Sequence, residues 1–390
     1  MVSKHEAENS DGLTGAIYLD WNATTPPHPD VLKAMLAAAT TAWGNPASVH
    51  GSGRRARVLV EELREELASA LQVHPRDVVL TSGGTEANNL GLAHASGLVT
   101  SRLEHASIVR VAEAMEAAGK PVRWLPVATT GQIDPAAVAL ACEGLSEGSW
   151  IAIQAANHET GALQPIEAVS EVARRARMKL HVDAVQAFGK VDVRPWLPLA
   201  DRIAIAAHKI RGPKGIGALA FRGKAPGPVL RGGSQERGLR PGTVDPIACA
   251  GFRRAVQLAS DGPARYASLA QRRDELEAAF RGLARVNAAD SPRLPHVSNL
   301  SFAGVSGDEL VAALDLRGIQ ISSGSACAAG TAEPSPVIVA MHGRELARSA
   351  VRISFGDTTP PSALDRLKEA IFQLLDAEGA SPGAQPSSAS

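Results

Sequence analysis

Residues 77–92, with the sequence DVVLTSGGTEANNLGL, join an apolar segment to two glycines and the start of a helical segment. Residues 77–82 are short and apolar, as in a buried strand. Two glycines allow backbone N–H groups to approach an anion, the helix dipole favours that anion, and Thr85 adds a hydroxyl. The segment has neither the Gly-Lys-Ser/Thr of a Walker loop nor a G-x-G-x-x-G pattern. It predicts either a phosphate-binding turn or a tight strand-to-helix turn without a ligand.

Strand-like and helix-like segments alternate on both sides of this stretch. The helical pattern is clearest in residues 54–71, where Leu59, Leu63, Leu67 and Leu71 form one apolar stripe. Such alternation is typical of α/β proteins, so we predict a mainly parallel sheet covered by helices. Binding residues of such a sheet collect beyond the carboxyl ends of its strands. The other segments are WIAIQAA (150–156), KLHVDA (179–184), RIAIAA (202–207) and GIGALAF (215–221) as strands and 166–178 as a helix.

The pattern changes near residue 262. A long charged helix is predicted at 265–284, followed by short strands and further helices, which indicates a smaller α+β domain. Both ends of the chain are polar or rich in Ser, Pro and Gly, which predicts disorder there. The expected organisation is a disordered extension (1–14), a large domain (15–261), a small C-terminal domain (262–375) and a disordered tail (376–390). The short strands are VSNLSF (297–302), IQIS (319–322) and AVRISF (350–355).

The composition excludes several functional classes. Among 390 residues, 40 basic residues balance 40 acidic ones and aromatics make up 4%, so no nucleic-acid partner is expected. The N-terminal residues lack the apolar segment of a signal peptide, and no run approaches the ~20 apolar residues of a membrane span. Three cysteines cannot all pair, and their spacing offers no zinc site. We therefore expect a cytoplasmic protein with no membrane contact and no metal.

Two further predicted strands end next to residues whose side chains could take part in a reaction. Asp183 closes one strand, where a carboxylate needs a cationic or hydrogen-bonding partner, such as a protonated pyridine nitrogen. A helix-capping Asp is the alternative. Lys209 follows another strand and could have the lowered pKa of an imine-forming lysine, whereas Lys214 lies in the turn GPKG and is expected to be solvated. A phosphate-binding turn, a strand-end Asp and a strand-end Lys are together what pyridoxal 5'-phosphate requires.

The chain resembles the cysteine desulfurases that serve iron–sulfur cluster assembly and nitrogen fixation. This family lies in the class V aminotransferase group of fold type I pyridoxal-phosphate enzymes. The resemblance covers roughly residues 16–375 and keeps the family's motif order. The matching stretches are IYLDWNATTPP (17–27), GNPASVHGSGRRAR (44–57), TSGGTEANNLGL (81–92), LEHASI (103–108), NHETGALQPI (157–166), HVDAVQAFGK (181–190), AHKIRGPKGIGAL (207–219), GGSQERGLRPGT (232–243), SSGSACAAG (322–330) and VRISFG (351–356).

The resemblance implies a role for each matching residue. Lys209 would form the Schiff base with the cofactor and then move protons at the substrate Cα. Asp183 would bind the ring nitrogen, and Gln186 the phenolic oxygen. His105 would stack on the ring and could act as an acid. Arg352 would bind the substrate carboxylate, as a guanidinium suits, with Asn22 beside it. The phosphate would be bound by Gly84, Thr85 and His208, together with Thr243 from the neighbouring subunit of a homodimer.

Cys327 lies in the small-residue segment ISSGSACAAGTAEPS (321–335), which gives a thiolate reach at the expense of order. The resemblance implies that this thiolate attacks the sulfur of bound L-cysteine. The products would be L-alanine and an enzyme persulfide, and the sulfur would pass to an acceptor protein such as an iron–sulfur scaffold. Cys142 and Cys249 lie in apolar surroundings and are expected to be buried and inert.

The sequence departs from the family pattern at two site positions. His158 replaces the second Asn of NNETG, which commonly contacts the cofactor, so either His158 or Asn157 could fill that role. Ala206 replaces a serine that usually binds phosphate, a loss of ~1–3 kcal/mol in cofactor affinity. Two other functions stay open: a selenocysteine lyase or small-amino-acid transaminase, and a catalytically lapsed binding or scaffold protein. The loop cysteine argues against plain transamination, which needs no thiol.

Overall fold

The computed structural model describes residues 15–324 and 333–377. Cys327 therefore lies outside the described residues. The predicted disordered extension (1–14) and residues 378–390 of the predicted tail also lie outside them. The strands are β1 (Ile17–Tyr18), β2 (Val78–Thr81), β3 (Leu98–Ser101), β4 (Val122–Leu125), β5 (Trp150–Gln154), β6 (Lys179–Asp183), β7 (Arg202–Ala206), β8 (Gly217–Phe221), β9 (Ala284–Val286), β10 (Val297–Phe302), β11 (Ile319–Gln320) and β12 (Ala350–Ser354).

Thirteen α-helices lie within the described residues, together with short 3-10 turns such as Ala207–Lys209. The last helix extends through Ala377, so it includes the first two residues of the predicted tail. The helices are α1 (Pro29–Thr41), α2 (Gly51–Leu71), α3 (Gly84–Leu92), α4 (Ala106–Ala117), α5 (Pro135–Cys142), α6 (Ile166–Arg175), α7 (Pro246–Ala259), α8 (Gly262–Ala267), α9 (Ala270–Ala279), α10 (Gly307–Asp315), α11 (Pro336–His342), α12 (Arg344–Arg348) and α13 (Pro361–Ala377).

The central sheet has seven strands in the order β2-β8-β7-β6-β5-β3-β4. Strand β8 pairs antiparallel with both β2 and β7, and the other pairs are parallel. Side chains alternate between the two faces: Ile203 and Ile205 enter one core with α2 and α6, whereas Ala204 faces the opposite side, with Leu90 of α3. Helices therefore cover both faces, which confirms the predicted α/β class.

The phosphate-binding turn predicted at residues 83–84 adjoins the β8 strand. A side chain at Gly217 would place its Cβ 2.7 Å from the Gly83 Cα, so glycine is required for this close approach. Gly83 itself has a φ of 154°, a backbone conformation that other residues rarely adopt. The two glycines together bring the start of α3 to the edge of the sheet where β7 ends.

A second, smaller set of elements follows α7. Strands β9, β10 and β12 form an antiparallel sheet in the order β12-β10-β9. Their apolar residues pack in a separate core with side chains of α9, α10 and α13. Leu19, next to β1, also enters this core, and β1 pairs with β11. The division into domains at residue 261 stays a prediction, with the N-terminal strand packed against the C-terminal elements.

The prediction of one long charged helix at 265–284 is wrong, because the chain forms two helices, α8 and α9, with a break between them. The Ser268 hydroxyl donates to the Arg265 carbonyl oxygen at 2.7 Å, and the Leu269 N–H donates to Tyr266, three residues back. A serine that bonds a nearby carbonyl commonly bends a helix. The break also buries Leu269 and Tyr266 in the second core.

Candidate active site

A cleft with an empty volume of about 900 Å3 lies at the carboxyl ends of the parallel strands. Its position is the one where α/β proteins bind ligands. The loops after five strands contribute to it, together with the N-terminal segment and β12. The residues that line it are Asn22, Ala23, Gly84, Thr85, Asn88, His105, Gln154, Ala156, His158, Asp183, Val185, Gln186, Ala206, His208, Lys209 and Arg352.

Lys209 reaches this cleft from the 3-10 turn that follows β7. Its amine donates to the main-chain oxygen of Asn22 and, at 2.8 Å, to that of Ala23. The side chain is half-buried, whereas Lys214 is exposed in the next turn and does not line the cleft. Of the two lysines considered, the structure brings Lys209 into the site.

Asp183 ends β6 and is buried. One carboxylate oxygen accepts the Val185 N–H at 2.9 Å, as in a turn, and the other accepts the Asn88 side-chain amide at 2.7 Å. The residue thus makes a local contact within a turn and also faces the cleft. The helix-capping alternative is wrong, because residues 185–190 form turns and no helix begins at Asp183, and binding of a pyridine nitrogen stays a prediction.

Asn88 is a site residue that the sequence interpretation missed. Its amide nitrogen donates to Asp183 and, at 2.9 Å, to the Ser107 hydroxyl, while its oxygen lies 2.8 Å from the Nε2 of His181. Burial lowers the pKa of His181 to about 3, so this imidazole is neutral and donates. The available signal was its position one turn into α3, where a side chain points back over the helix start.

His105 is the residue that caps the start of α4. Its Nδ1 accepts the Ser107 N–H at 3.1 Å, so the proton of the neutral ring lies on Nε2. Burial lowers the pKa of His105, an effect that Asp183 opposes and Lys209 reinforces. The ring meets His158 edge to face at a centroid distance of 5.4 Å. A neutral imidazole therefore forms one wall of the cleft.

The two candidates at positions 157 and 158 differ in placement. His158 lines the cleft, and burial lowers its pKa well below the usual range. The Asn157 side chain instead binds its own loop: its amide donates to the Leu103 oxygen at 3.0 Å, and its oxygen accepts the Glu159 and Thr160 N–H groups. Asn157 does not line the cleft, so its cofactor contact stays a prediction.

Arg352 enters the cleft from β12 with only 2% of its surface exposed. One guanidinium nitrogen donates to Asp20 at 2.6 Å and another to the His158 main-chain oxygen at 3.1 Å. Asn22 lies nearby, and its side-chain amide donates to the same His158 oxygen at 3.0 Å. The predicted carboxylate-binding residue is thus held in the cleft by fixed partners.

Three of the four predicted phosphate-binding residues line the cleft. Gly84 and Thr85 begin α3, whose first N–H groups have no acceptor within the helix. His208 lines the same cleft with its Nδ1 3.1 Å from the Thr24 hydroxyl, and burial lowers its pKa to about 3. Thr243 is exposed and does not line the cleft. Its contribution across a dimer interface stays a prediction.

The set of donors fits pyridoxal phosphate. A helix N-terminus suits the phosphate, a buried carboxylate suits the ring nitrogen, and an amine at a strand end suits the aldehyde. Among the described residues, no group of three or more His, Cys, Asp or Glu side chains could hold a metal ion. The fold and the site therefore define a pyridoxal phosphate-dependent enzyme of fold type I.

Comparison with known proteins agrees with this class. The model of the family "Aminotransferase class-V" matches residues 17–367. An IscS-like cysteine desulfurase of Mycobacterium tuberculosis is 36% identical, over 91% of this chain and 95% of that protein. The structure of a NifS-like protein from Rickettsia africae superimposes with a TM-score of 0.84 at 28% identity, covering 93% of this chain and 99% of that one. The structure of SspA in complex with cysteine superimposes with a TM-score of 0.76 at 30% identity, covering 88% of this chain and 100% of that one.

The chain belongs to the class V aminotransferase family and, within it, to the cysteine desulfurases. The cofactor of this class is pyridoxal phosphate. In the part of the chain that the structure describes, no helix combines the length and apolar character needed to cross a bilayer.

Proposed function

We propose that the protein converts L-cysteine to L-alanine and retains the sulfur on Cys327 as a persulfide. The observation that carries this proposal is the position of the two described ends of the Cys327 segment. Ser322 exchanges two main-chain hydrogen bonds with Arg352, and the Ser335 hydroxyl donates to the carboxylate of Glu159, next to His158. Both ends therefore adjoin residues that line the cleft.

The length of chain between Gly324 and Cys327 limits how far apart these two residues can lie. Gly324 is the last described residue before the gap, and Cys327 is three residues further on. Three residues span at most ~11 Å. Because Ser322, two residues before Gly324, is bonded to Arg352, this short span supports a thiol within reach of a substrate whose carboxylate lies on Arg352. Since a thiolate is the nucleophile in sulfur chemistry, reach and an open setting are what this role requires.

The residues of the chain supply the remaining parts of the reaction. When bound, pyridoxal phosphate withdraws electrons from the substrate Cα. Lys209, on the floor of the cleft, moves the proton at that carbon, and Arg352 orients the carboxylate through its guanidinium. The Cys327 thiolate then attacks the substrate sulfur. An S–S bond forms as the Cβ–S bond breaks, and Cβ keeps the electron pair and takes a proton, which yields alanine.

The experiment supplies L-cysteine to the holoenzyme and measures free alanine and protein-bound persulfide in the same samples. Wild type should form both in equal amounts in the first turnover, and Cys327→Ser should form no persulfide. Cys142→Ser is the matched control, because burial raises the pKa of that thiol and it lies outside the cleft. Persulfide formation by Cys327→Ser at the wild-type rate would reject the assignment.

The proposal extends to partners and location. The sulfur acceptor would be a protein such as an iron–sulfur scaffold, as the relationship to the IscS-like enzymes suggests. A cytoplasmic location is supported by the unpaired, buried thiols of Cys142 and Cys249, which suit a reducing compartment. Incubation of the persulfide form with a purified scaffold protein, followed by mass measurement of both proteins, tests the transfer.

A homodimer is part of the same proposal, with Thr243 contributing to the partner's phosphate site. The exposed position of Thr243 outside its own cleft supports this arrangement. Large apolar side chains are exposed elsewhere on the chain, as expected of a surface that binds another protein; they include Leu36, Trp43 and Val49. Sedimentation velocity should give twice the chain mass, and Thr243→Ala should weaken binding of the cofactor. A monomer that binds the cofactor fully would reject the dimeric site.

A further inference from the structure

Lys190 is a buried lysine that the proposed reaction does not use. It follows the Asp183 turn and is 1% exposed. Lysines are almost never fully buried unless they are paired with an anion. Within residues 15–324 and 333–377, no carboxylate forms an ion pair with its amine, which instead donates to the Gln186 side-chain oxygen at 3.1 Å. Burial lowers the pKa of Lys190 well below its usual range, and the charges of Lys209 and Arg352 reinforce the effect.

Two contacts, one with Asn22 and one with Lys190, fix how the Gln186 amide is oriented. The main-chain oxygen of Asn22 can only accept, so the Gln186 nitrogen must face it, at 3.0 Å. The Gln186 oxygen then faces Lys190, which supplies an N–H group. The reversed amide would bring two oxygens together at Asn22. One orientation is thus fixed at both ends.

Among the residues that the structure describes, the Gln186 amide nitrogen donates to Asn22 alone. An amide nitrogen carries two hydrogens, and Asn22 takes one of them. Gln186 lines the cleft, so the second hydrogen is available to a ligand. Without the Lys190 contact, the amide would be held at one end only, by Asn22, so it could swing and its second N–H group would no longer be fixed toward the cleft.

We propose that Lys190 is a positioning residue for cofactor binding: it holds the Gln186 amide so that its second N–H group can donate to an oxygen of bound pyridoxal phosphate. This inference rests on the proposed function only in requiring that cofactor. It does not require L-cysteine, persulfide or Cys327.

Lys190 lines a second cavity, which leaves space for a larger side chain at position 190. This cavity has an empty volume of about 720 Å3, and its walls include Lys190, Lys209 and Tyr266. Lys190→Met keeps the length and apolar volume of the side chain but removes the donor. Lys190→Arg keeps a donor, and the cavity can accommodate the larger head group. The two variants thus separate the loss of the hydrogen bond from the loss of volume.

The test is a double-mutant cycle on the affinity of the apoenzyme for pyridoxal phosphate, measured by quenching of protein fluorescence without substrate. Lys190→Met should raise the Kd about tenfold, the size of one lost hydrogen bond. In a Gln186→Met background the same change should alter the Kd less than twofold. Lys190→Arg should restore the Kd to near the wild-type value. The exposed Lys224→Met is the control and should have no effect.

A second readout uses the apoenzyme alone. Gln186→Met leaves the buried Lys190 amine without its acceptor, so it should lower the free energy of unfolding in urea, and adding Lys190→Met should recover the loss. An equal rise in Kd in both backgrounds, or an unchanged Kd in Lys190→Met, would overturn the proposal. If wild type binds the cofactor but makes no persulfide, the reaction proposed above fails while the Lys190 coupling remains measurable.

Discussion

Lys209 and Gln186 donate to one acceptor, the main-chain oxygen of Asn22. The two donors follow different strands, β7 and β6, and the acceptor belongs to the N-terminal segment, 187 residues from Lys209. The same asparagine donates to His158 through its side chain, and its side-chain oxygen lies 3.1 Å from the Nε2 of His296. The N-terminal segment is therefore a wall of the site that joins the large sheet to the C-terminal elements.

Lys209→Ala should abolish covalent attachment of the cofactor and reduce turnover at least a thousandfold, since no other lysine lines the cleft in the described part of the chain. Borohydride reduction followed by peptide mass spectrometry should locate the cofactor on Lys209 in wild type and on no peptide of the variant. Lys214→Ala, which changes an exposed lysine five residues away, is the control. Attachment to Lys214 would show that the imine-forming residue is misassigned.

Five strands of the central sheet could be predicted because they are short, apolar and followed by a turn residue, whereas β3 and β4 were missed. Five predicted strand segments coincide with β2, β5, β6, β7 and β8 within one or two residues. The break between α8 and α9 could not be predicted, since Ser268 and Leu269 fit a continuous helical pattern. It depends on burial of Leu269 and Tyr266 in a core made largely of later elements.

The site could be predicted where a residue follows a strand, as Asp183 and Lys209 do. Asn88 and Lys190 were missed for different reasons, because the partner of Asn88 is distant in sequence, whereas Lys190 bonds the nearby Gln186 and only its burial was unforeseen. Asn88 contacts Asp183 across 95 residues. From the sequence alone, Lys190 would be expected to lie on the surface, whereas the structure shows that it is buried. The long-range contact of Asn88 and the burial of Lys190 both follow from tertiary packing.

Arg352→Lys should raise the KM for L-cysteine more than tenfold, because an ammonium cannot reproduce the two-nitrogen fork of a guanidinium. The loss of the Asp20 and His158 contacts would also let the side chain move. Steady-state kinetics give the KM. Binding of cysteamine, which has no carboxylate, is the control and should be unchanged, whereas equal weakening of both ligands would argue against a carboxylate-binding role.

Ala206→Ser should lower the Kd for pyridoxal phosphate about tenfold, by adding one hydrogen bond to a dianion. The Ala206 Cβ lies 3.8 Å from the position that a Cβ on Gly84 would occupy, so a hydroxyl there would face the start of α3. Fluorescence titration of the apoenzyme measures the Kd. Pyridoxal, which lacks the phosphate, should bind both proteins equally, and a gain for pyridoxal as well would place the new hydroxyl elsewhere.

His181→Asn should make the stability of the apoenzyme less sensitive to acid. The pKa of His181 is lowered to about 3 in the folded protein, against ~6.5 in the unfolded chain. Because the unfolded state binds the proton first, the stability from neutral His181 is fully present above ~pH 6.5 and is lost as the pH falls below it. Between about pH 7.5 and about pH 5, wild type should lose about 2 kcal/mol more than the variant.

Urea unfolding of both proteins across this range measures the difference and cancels the contributions of other titrating groups. Asparagine keeps a donor for the Asn88 oxygen, so the variant tests the charge of the buried ring more than its hydrogen bond. His74→Asn, which changes an exposed histidine that caps a short 3-10 turn, is the control for the His-to-Asn substitution itself. Parallel curves for wild type and His181→Asn would mean that His181 takes up its proton in the folded state as readily as in the unfolded chain.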